Sequence, residues 1–501
     1  MFRPFVLDDT GRPFVEFVAP DADAGIIAGQ AYVGNGTADA VYLTTDAVAA
    51  SDGIVGGFRY TTAGALRAYD ATAGLPAGTS TNQGIAMTSD GQVCYSTAAS
   101  GTYFNIAGVA VDSSGRVLID PLTFELLFAD LGAGVVSTVD SIGAATPTFT
   151  RATVAWTKLA SGLWAEVASG SPRSFYSGFT TAVGSYLGYL AEGARTQLVT
   201  PDAAIRDMTD AAWVAGATLT VAKTGTGIDG VANSCSRLTG GAVAATNTIL
   251  QALVAAASSR TYSVWLRRVT GTGMVNITQD GGATWTAVTS SLTSDNFVRV
   301  SLTASVLNAA FGVQVETDGD VILADFNQFE AGAFASTPIP TTAARNADVL
   351  TYPTTGWLNA SAGTFFSQWQ ALSAAANQRI ALCQPSGDSN NRLFDLFLNA
   401  NPQSAWFGNA ASAQQFNIGA GATVTSGTTF KTAGVYASNS AQLCANGTLG
   451  TEDTSVTLPT GTFVLTLGIF DGGTNSLFGP IRRVAYYAVR LPNAELQALT
   501  A

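Results

Sequence analysis

The chain has no histidine in 501 residues. Ser-His-Asp and Cys-His nucleophilic systems, histidine-ligated zinc and histidine general bases are thereby excluded, and only carboxylate, lysine, tyrosine or unassisted chemistry remains. Charge is scarce as well. Charged residues are 12% of the chain against 47% apolar, so Thr, Ser, Asn, Gln and backbone must cover most of the surface. The charge that is present leans acidic, with 35 Asp and Glu to 23 Lys and Arg and a net of −12, which repels a phosphate backbone and argues against a nucleic-acid partner. No apolar run is long enough to span a bilayer, so no membrane insertion is expected. The segment Met1-Phe2-Arg3-Pro4-Phe5-Val6-Leu7 also lacks the pattern of a secretory signal, so synthesis in a cytoplasm is expected. The four cysteines (Cys94, Cys235, Cys383, Cys444) are far apart and form no CxxC pair; buried free thiols are expected, with a Cys383–Cys444 disulfide left open.

What is there points to β structure. The 53 glycines supply turns, the 16 prolines are scattered, and long stretches rich in Glu, Lys, Leu and Arg are missing, so bundles and coiled coils are disfavoured. The length calls for roughly three or four domains. Residues 1–120 carry a repeat: Phe5 to Val15, Phe58 to Ala68, Ile85 to Tyr95 and Val109 to Ile119 each read as a short strand, a polar turn closed by glycine and a second strand. Two-stranded hairpins are marginal alone, so this region is expected to pack as a row of hairpins or against other subunits, serving attachment or oligomerisation.

Residues 121–195 read as a β-rich connector, with one helix-like stretch near Leu122 to Leu131. Residues 196–345 hold dense period-two strands such as Thr261 to Arg268, Phe297 to Leu302, Phe311 to Glu316 and Val321 to Glu330, as expected of a jelly roll. Residues 346–501 read as a second sandwich, with an Asn446-Gly447 hairpin turn and a terminal helical turn from Pro492 to Leu499. The fold class expected is therefore all-β: N-terminal β-hairpin repeats followed by two β-sandwich domains.

Three segments carry a family resemblance: Thr148-Phe149-Thr150-Arg151-Ala152-Thr153, then Gly170-Ser171-Pro172-Arg173-Ser174-Phe175-Tyr176, then Leu190-Ala191-Glu192-Gly193-Ala194-Arg195-Thr196-Gln197-Leu198. Together they resemble the connector that precedes sandwich domains in many virion proteins of tailed bacteriophages. Residues 196–345 are similar to a carbohydrate-binding jelly roll, and residues 346–501 to a laminin-G or concanavalin-like domain. The resemblance implies a non-enzymatic structural protein located in the virion. Its expected role is a tail or head fibre or spike subunit that binds other virion proteins, assembles as a homo-oligomer, most naturally a trimer, and presents sandwiches to a host-surface glycan. A head or tail decoration protein and a tailspike-type polysaccharide depolymerase are the alternatives.

Thr278-Gln279-Asp280-Gly281-Gly282-Ala283-Thr284-Trp285 fits the Asp-box pattern of sialidase propeller blades. There Asp280 is expected to cap a turn that Gly282 permits and Trp285 supports, a structural device without chemistry. Trp213, Trp285 and Trp406 lie near loops or turns and are the candidates for stacking on a sugar ring; Trp265, on an alternating strand, is expected in the core. No cofactor is expected, although Asp318-Gly319-Asp320, Asp8-Asp9 and Asp388 leave Ca²⁺ open. No local motif selects a pair of catalytic carboxylates.

Overall fold

The computed structural model describes residues 122–130, 134–142, 146–342, 344–373, 375–421, 423–470 and 475–501, together with short strand segments between residues 6 and 97. Contacts divide the chain after Pro121 into two units. In the first unit the described segments are strands, among them Gly56–Tyr60 paired with Leu66–Tyr69 and Gln83–Met87 paired with Val93–Thr97. The turns and side chains of the hairpin copies lie outside the described residues, as do the whole copy at 109–119 and the Asp8-Asp9 pair.

The strand pairs described in the second unit are antiparallel, and most of its strands form two sandwiches. The first has two five-stranded sheets. One runs Val214–Ala215, Thr248–Ala252, Ala310–Val315, Val275–Thr278 and Thr286–Ala287; the other runs Thr220–Gly225, Cys235–Thr239, Val321–Ala331, Ser259–Thr270 and Val298–Ser305. Alternation along Ser259–Thr270 sends Tyr262, Val264 and Leu266 into a core shared with Ile249, Phe311, Val313 and Phe329. Trp265 is buried too, edge-on to Trp164 at 5.0 Å between ring centres.

The second sandwich has a larger and less local sheet pair. Its nine-stranded sheet follows the order Val136–Ile142, Leu122–Asp130, Gly479–Tyr487, Ala362–Gln370, Thr429–Ala437, Ser440–Ala445 and Thr448–Leu449, with Tyr186–Ala191 also paired to Gly479–Tyr487 and Arg173–Tyr176 paired in turn to Tyr186–Ala191. Opposite lies the seven-stranded sheet Thr148–Thr150, Val349–Pro353, Phe463–Leu467, Arg379–Pro385, Phe394–Leu398, Ser404–Ala410 and Ala413–Ala420. Between them Trp369, Phe394, Trp406, Leu465 and Tyr436 form the core. Asn446 (φ 44°) and Gly447 (φ 77°) make the turn into Thr448–Leu449, a conformation that requires two left-handed residues. The helix Asn493–Thr500 starts after Pro492 and packs Leu496 over Val435, Ala433 and Cys444 on the outside of the nine-stranded sheet.

Sheet membership differs from the linear division at 195 and 346. The segment expected as a connector supplies strands to both sheets of the C-terminal sandwich, so the jelly roll is inserted into that sandwich. The insertion is closed at its neck, where Arg195–Thr196 pairs with Ala344–Arg345. The stretch expected as helix-like is the strand Leu122–Asp130, with Phe124, Leu126 and Phe128 inward. Residues three and four apart, Phe124, Leu127 and Phe128, imitate a helical stripe; pairing to Gly479–Tyr487 settles the period at two.

Around the neck the residues of the three resemblance segments meet in a buried ion cluster. Arg151 donates to Asp348 at 2.8 Å, Arg173 donates to Glu192 at 2.8 Å and to Asp348 at 2.5 Å, and Arg345 approaches Glu192 at 3.1 Å. Thr337, from the end of the inserted module, completes it by donating its N–H to Glu192 at 2.8 Å, while its hydroxyl oxygen accepts from Arg173 at 2.9 Å. Burial works against the Glu192 carboxylate, yet Arg345, Arg173 and the Thr337 hydrogen bonds hold its pKa at about 2. Arg173 is likewise penalised by burial, but Asp348 and Glu192 raise its pKa above the ordinary value. Such a cluster adds little stability over an apolar core of equal volume, but breaking it leaves buried charge uncompensated, so it fixes one geometry between the modules.

Candidate functional site

A concave surface lies beside this cluster, on the outer face of the seven-stranded sheet. Pairing in that sheet sets Thr148 opposite Thr351 and Thr351 opposite Thr466, so three threonines form a row across neighbouring strands, while Leu350 and Leu467 point to the core. A hollow of about 450 Å³ opens over this face. Val349 and Val464 give it an apolar floor, Thr351, Thr466 and Gln384 line it with polar groups, and Phe470 is one wall. The opposite wall is Thr150 to Ala152 with Asn346 and Ala347, the same backbone that the Arg151–Asp348 ion pair holds in place.

Among the described residues Arg151 is the only charged one lining the hollow, and its guanidinium is buried against Asp348 and donates to the Ala168 carbonyl at 2.7 Å. Beyond Phe470 lies a second charge group. Asp395 accepts from Arg379 at 3.0 Å and lies 3.5 Å from Arg392; the guanidinium carbons sit 5.1 and 4.8 Å from the centre of the Phe470 ring. Burial pushes the Asp395 carboxyl up to about 6 against the pull of both arginines. Phe470 lines the hollow and neither arginine does.

Turnover chemistry finds little to work with among the described residues. Hydrolysis of a glycosidic bond by the common routes needs two carboxyl groups facing each other across the sugar, one of them protonated. Among the described residues no carboxylate lines the threonine hollow. A second hollow, of about 450 Å³, contains Glu452 and Asp453, neighbours on one loop. A hydrogen bond from Ser440, and then Arg490, holds the Glu452 carboxyl below its ordinary value, the opposite of what a general acid requires. Asp325, whose pKa burial raises, is clamped by Arg206 at 2.8 Å inside the jelly roll. Burial draws Lys158 down to about 8, but its ammonium donates to the Ser177 carbonyl and lines neither hollow.

The sequence-stacking candidates separate. Trp406 is buried, stacked on Phe394 at 4.9 Å, with its indole N–H donated to the Val435 carbonyl; its position on Ser404–Ala410 alternates inward. Trp213 is buried as well, edge-on to Phe311, with its N–H donated to the Ala204 carbonyl. Neither presents a face to a ligand, which corrects the expectation for both. Trp285 is half-buried over Gly282 in the Asp-box turn. In that turn Asp280 accepts from the Thr278 hydroxyl at 2.8 Å and from the Thr284 N–H at 2.9 Å, and Gly281 and Gly282 have φ of 75° and 87°. The three tryptophans are not brought together.

Among the described residues no three His, Cys, Asp or Glu side chains converge as a metal site. Asp320 is engaged by Arg268 at 3.0 Å and by the Gly273 N–H, and Asp388 accepts from the Asn390 N–H and the Asn391 amide within its own loop. Cys235, Cys383 and Cys444 are free and buried. Cys383 faces the core between the sheets and Cys444 the layer under the C-terminal helix, so they do not pair with each other. Among the described residues no helix is long and apolar enough to cross a membrane.

The hollow's residues were outside the sequence expectation, although the alternation Val349-Leu350-Thr351-Tyr352 and Phe463-Val464-Leu465-Thr466-Leu467 does say which side chains point outward. What alternation leaves open is that these two segments lie side by side.

No protein-family model and no curated protein matches the chain. Solved structures align with part of the chain. A sialidase carbohydrate-binding module, CBM40, of Ruminococcus gnavus aligns at 20% identity over 28% of this chain and 84% of its own, with a TM-score of 0.26. Domain 4 of AbnA, an extracellular arabinanase of Geobacillus stearothermophilus solved with arabinotriose, aligns at 11% identity over 31% of this chain and 73% of its own, with a TM-score of 0.27. The binding domain of botulinum neurotoxin serotype G aligns at 9% identity over 30% and 39%, with a TM-score of 0.25. At these TM-scores the alignments carry no argument about this chain, and its β-sandwich layout is read from its own strand pairing.

Proposed function

We propose that the chain is a non-enzymatic structural protein of a tailed-phage virion, a fibre or spike subunit that holds its sandwiches out to host-surface glycans. The observation that carries this reading is the threonine hollow: open, lined among the described residues by no carboxylate and by no charge but the buried Arg151, and therefore suited to contact rather than turnover. The ion cluster at the neck supports it, because a protein that transmits contact to a particle needs its modules fixed to one another. The resemblance segments contribute Arg151, Arg173 and Glu192 to that cluster, which gives their pattern a physical reason. In this reading residues 1–120 bind other virion proteins and drive homo-oligomerisation, as a trimer.

The test is to localise the chain on intact particles by immuno-electron microscopy and to measure adsorption to host cells with excess free protein. Labelling at a fibre or spike together with blocked adsorption supports the proposal. Labelling on the capsid shell with unchanged adsorption refutes the fibre role and favours decoration. New reducing ends from host polysaccharide would overturn the non-enzymatic claim.

A further inference from the structure

We propose that the hollow on the outer face of the seven-stranded sheet is a subsite for a neutral oligosaccharide, with Phe470 against the sugar's C–H face and Thr351, Thr466 and Gln384 against its hydroxyls. This rests on the glycan-contact reading above and names the ligand class it would take.

Three features select that class. Phe470, Val349 and Val464 make one wall and the floor hydrocarbon, Ala152 and Ala347 add methyl groups to the opposite wall, and Thr351, Thr466, Gln384 and Asn346 supply hydroxyls and amides between them; a pyranose or furanose is likewise amphipathic, apolar on its C–H face and polar at its edge. The volume, about 450 Å³, is on the scale of a short oligosaccharide stretch rather than a macromolecular partner. Charge discriminates further. A sugar acid needs a cation within reach, yet among the described residues the one lining cation, Arg151, is committed to Asp348, and Arg379 and Arg392 pair with Asp395 outside the lining. Asp388, next to lining residue Gly387, and the net charge of −12 both oppose a carboxylated ligand. The site is also pre-formed: four strands supply it, and the ion pair Arg151–Asp348 fixes its far wall, so little ordering entropy opposes binding.

The experiment uses the full-length chain and ligand-observed NMR with calorimetry. The probes are neutral tetrasaccharides of glucose, galactose, xylose and arabinose, with sialyllactose and tetragalacturonate as acidic counterparts. At least one neutral probe is expected to bind with a salt-independent Kd, and the acidic probes at least tenfold more weakly. Thr466→Arg, which fills the hollow from an outward, half-exposed position, should weaken binding by about tenfold or more, and Phe470→Ala by about fivefold. Thr351→Lys, on the adjacent strand, should repeat the Thr466→Arg result should the latter fold poorly. Trp285→Ala, in the jelly roll, should leave the affinity within about twofold.

Tighter binding of an acidic probe than of every neutral one overturns the class assignment. Unchanged affinity in folded Thr466→Arg and Thr351→Lys proteins overturns the site while leaving glycan contact elsewhere standing. If the unaltered chain binds none of the probes, the neutral-ligand assignment falls, and blocked adsorption in the particle experiment then decides the broader reading separately.

Discussion

Replacing Arg173 by Met removes one side chain of similar length and four hydrogen bonds: to the Trp156 carbonyl at 2.8 Å, the Thr337 hydroxyl at 2.9 Å, Glu192 at 2.8 Å and Asp348 at 2.5 Å. All of these lie at the neck, and both carboxylates stay buried when their partner leaves. Each keeps one arginine, Glu192 through Arg345 and Asp348 through Arg151. Breaking a buried pair costs about 3–5 kcal/mol, and the surviving partners place Arg173→Met near the lower end of that range. The half-exposed pair Arg490–Glu452, at 3.0 Å, serves as the control, because pairs in contact with solvent contribute about 1 kcal/mol or less. Urea unfolding of the full chain, followed by tryptophan fluorescence, measures both. A loss for Arg173→Met no greater than that for Arg490→Ala would refute the idea that the cluster fixes the modules together.

The same cluster has a pH signature. The folded pKa of Glu192, about 2, lies below its ordinary value of 4.5, so its stabilisation is present in full above the unfolded value and is lost as pH falls through the interval between them; unfolding midpoints should drop over that interval, and a flat profile there contradicts the assignment. Gly282→Val should destabilise by about 1–3 kcal/mol, since its φ of 87° disfavours a side chain and a Cβ would stand 2.8 Å from the Trp285 ring; unfolding measurements check this. Burial pushes the Cys383 thiol well above its ordinary value, so Cys235, Cys383 and Cys444 should react with a thiol reagent only on unfolding, and the oxidised chain should show no Cys383–Cys444 crosslink by mass spectrometry.

Much of the sandwich architecture was readable where one face of a strand is buried, because alternation then reports the fold directly. Val298–Ser305 is such a strand, whereas Ser259–Thr270 and Val321–Ala331 are buried on both faces over most of their length. Leu122–Asp130 misled because Leu127 faces outward beside Arg483, putting an apolar residue where a polar one would have marked the period. The insertion of one sandwich into the other was hidden for a different reason. Pairing such as Phe149 with Leu350, or Leu127 with Arg483, joins distant segments through backbone hydrogen bonds that carry no side-chain code. The tryptophans show the limit of reading position from nearby turns: Trp406 follows the Pro402 turn closely, yet its place in the strand sends it inward. The hollow could be anticipated residue by residue as outward threonines and valines, but only the strand order assembles it.

The central claim is that these sandwiches make contact with saccharide and do not cleave it. It is tested most directly by titrating the full chain with the host's surface polysaccharide while assaying the same samples for reducing ends. The account predicts saturable binding with no reducing ends above those of the polysaccharide alone. Reducing ends that accumulate in proportion to protein and time would contradict it.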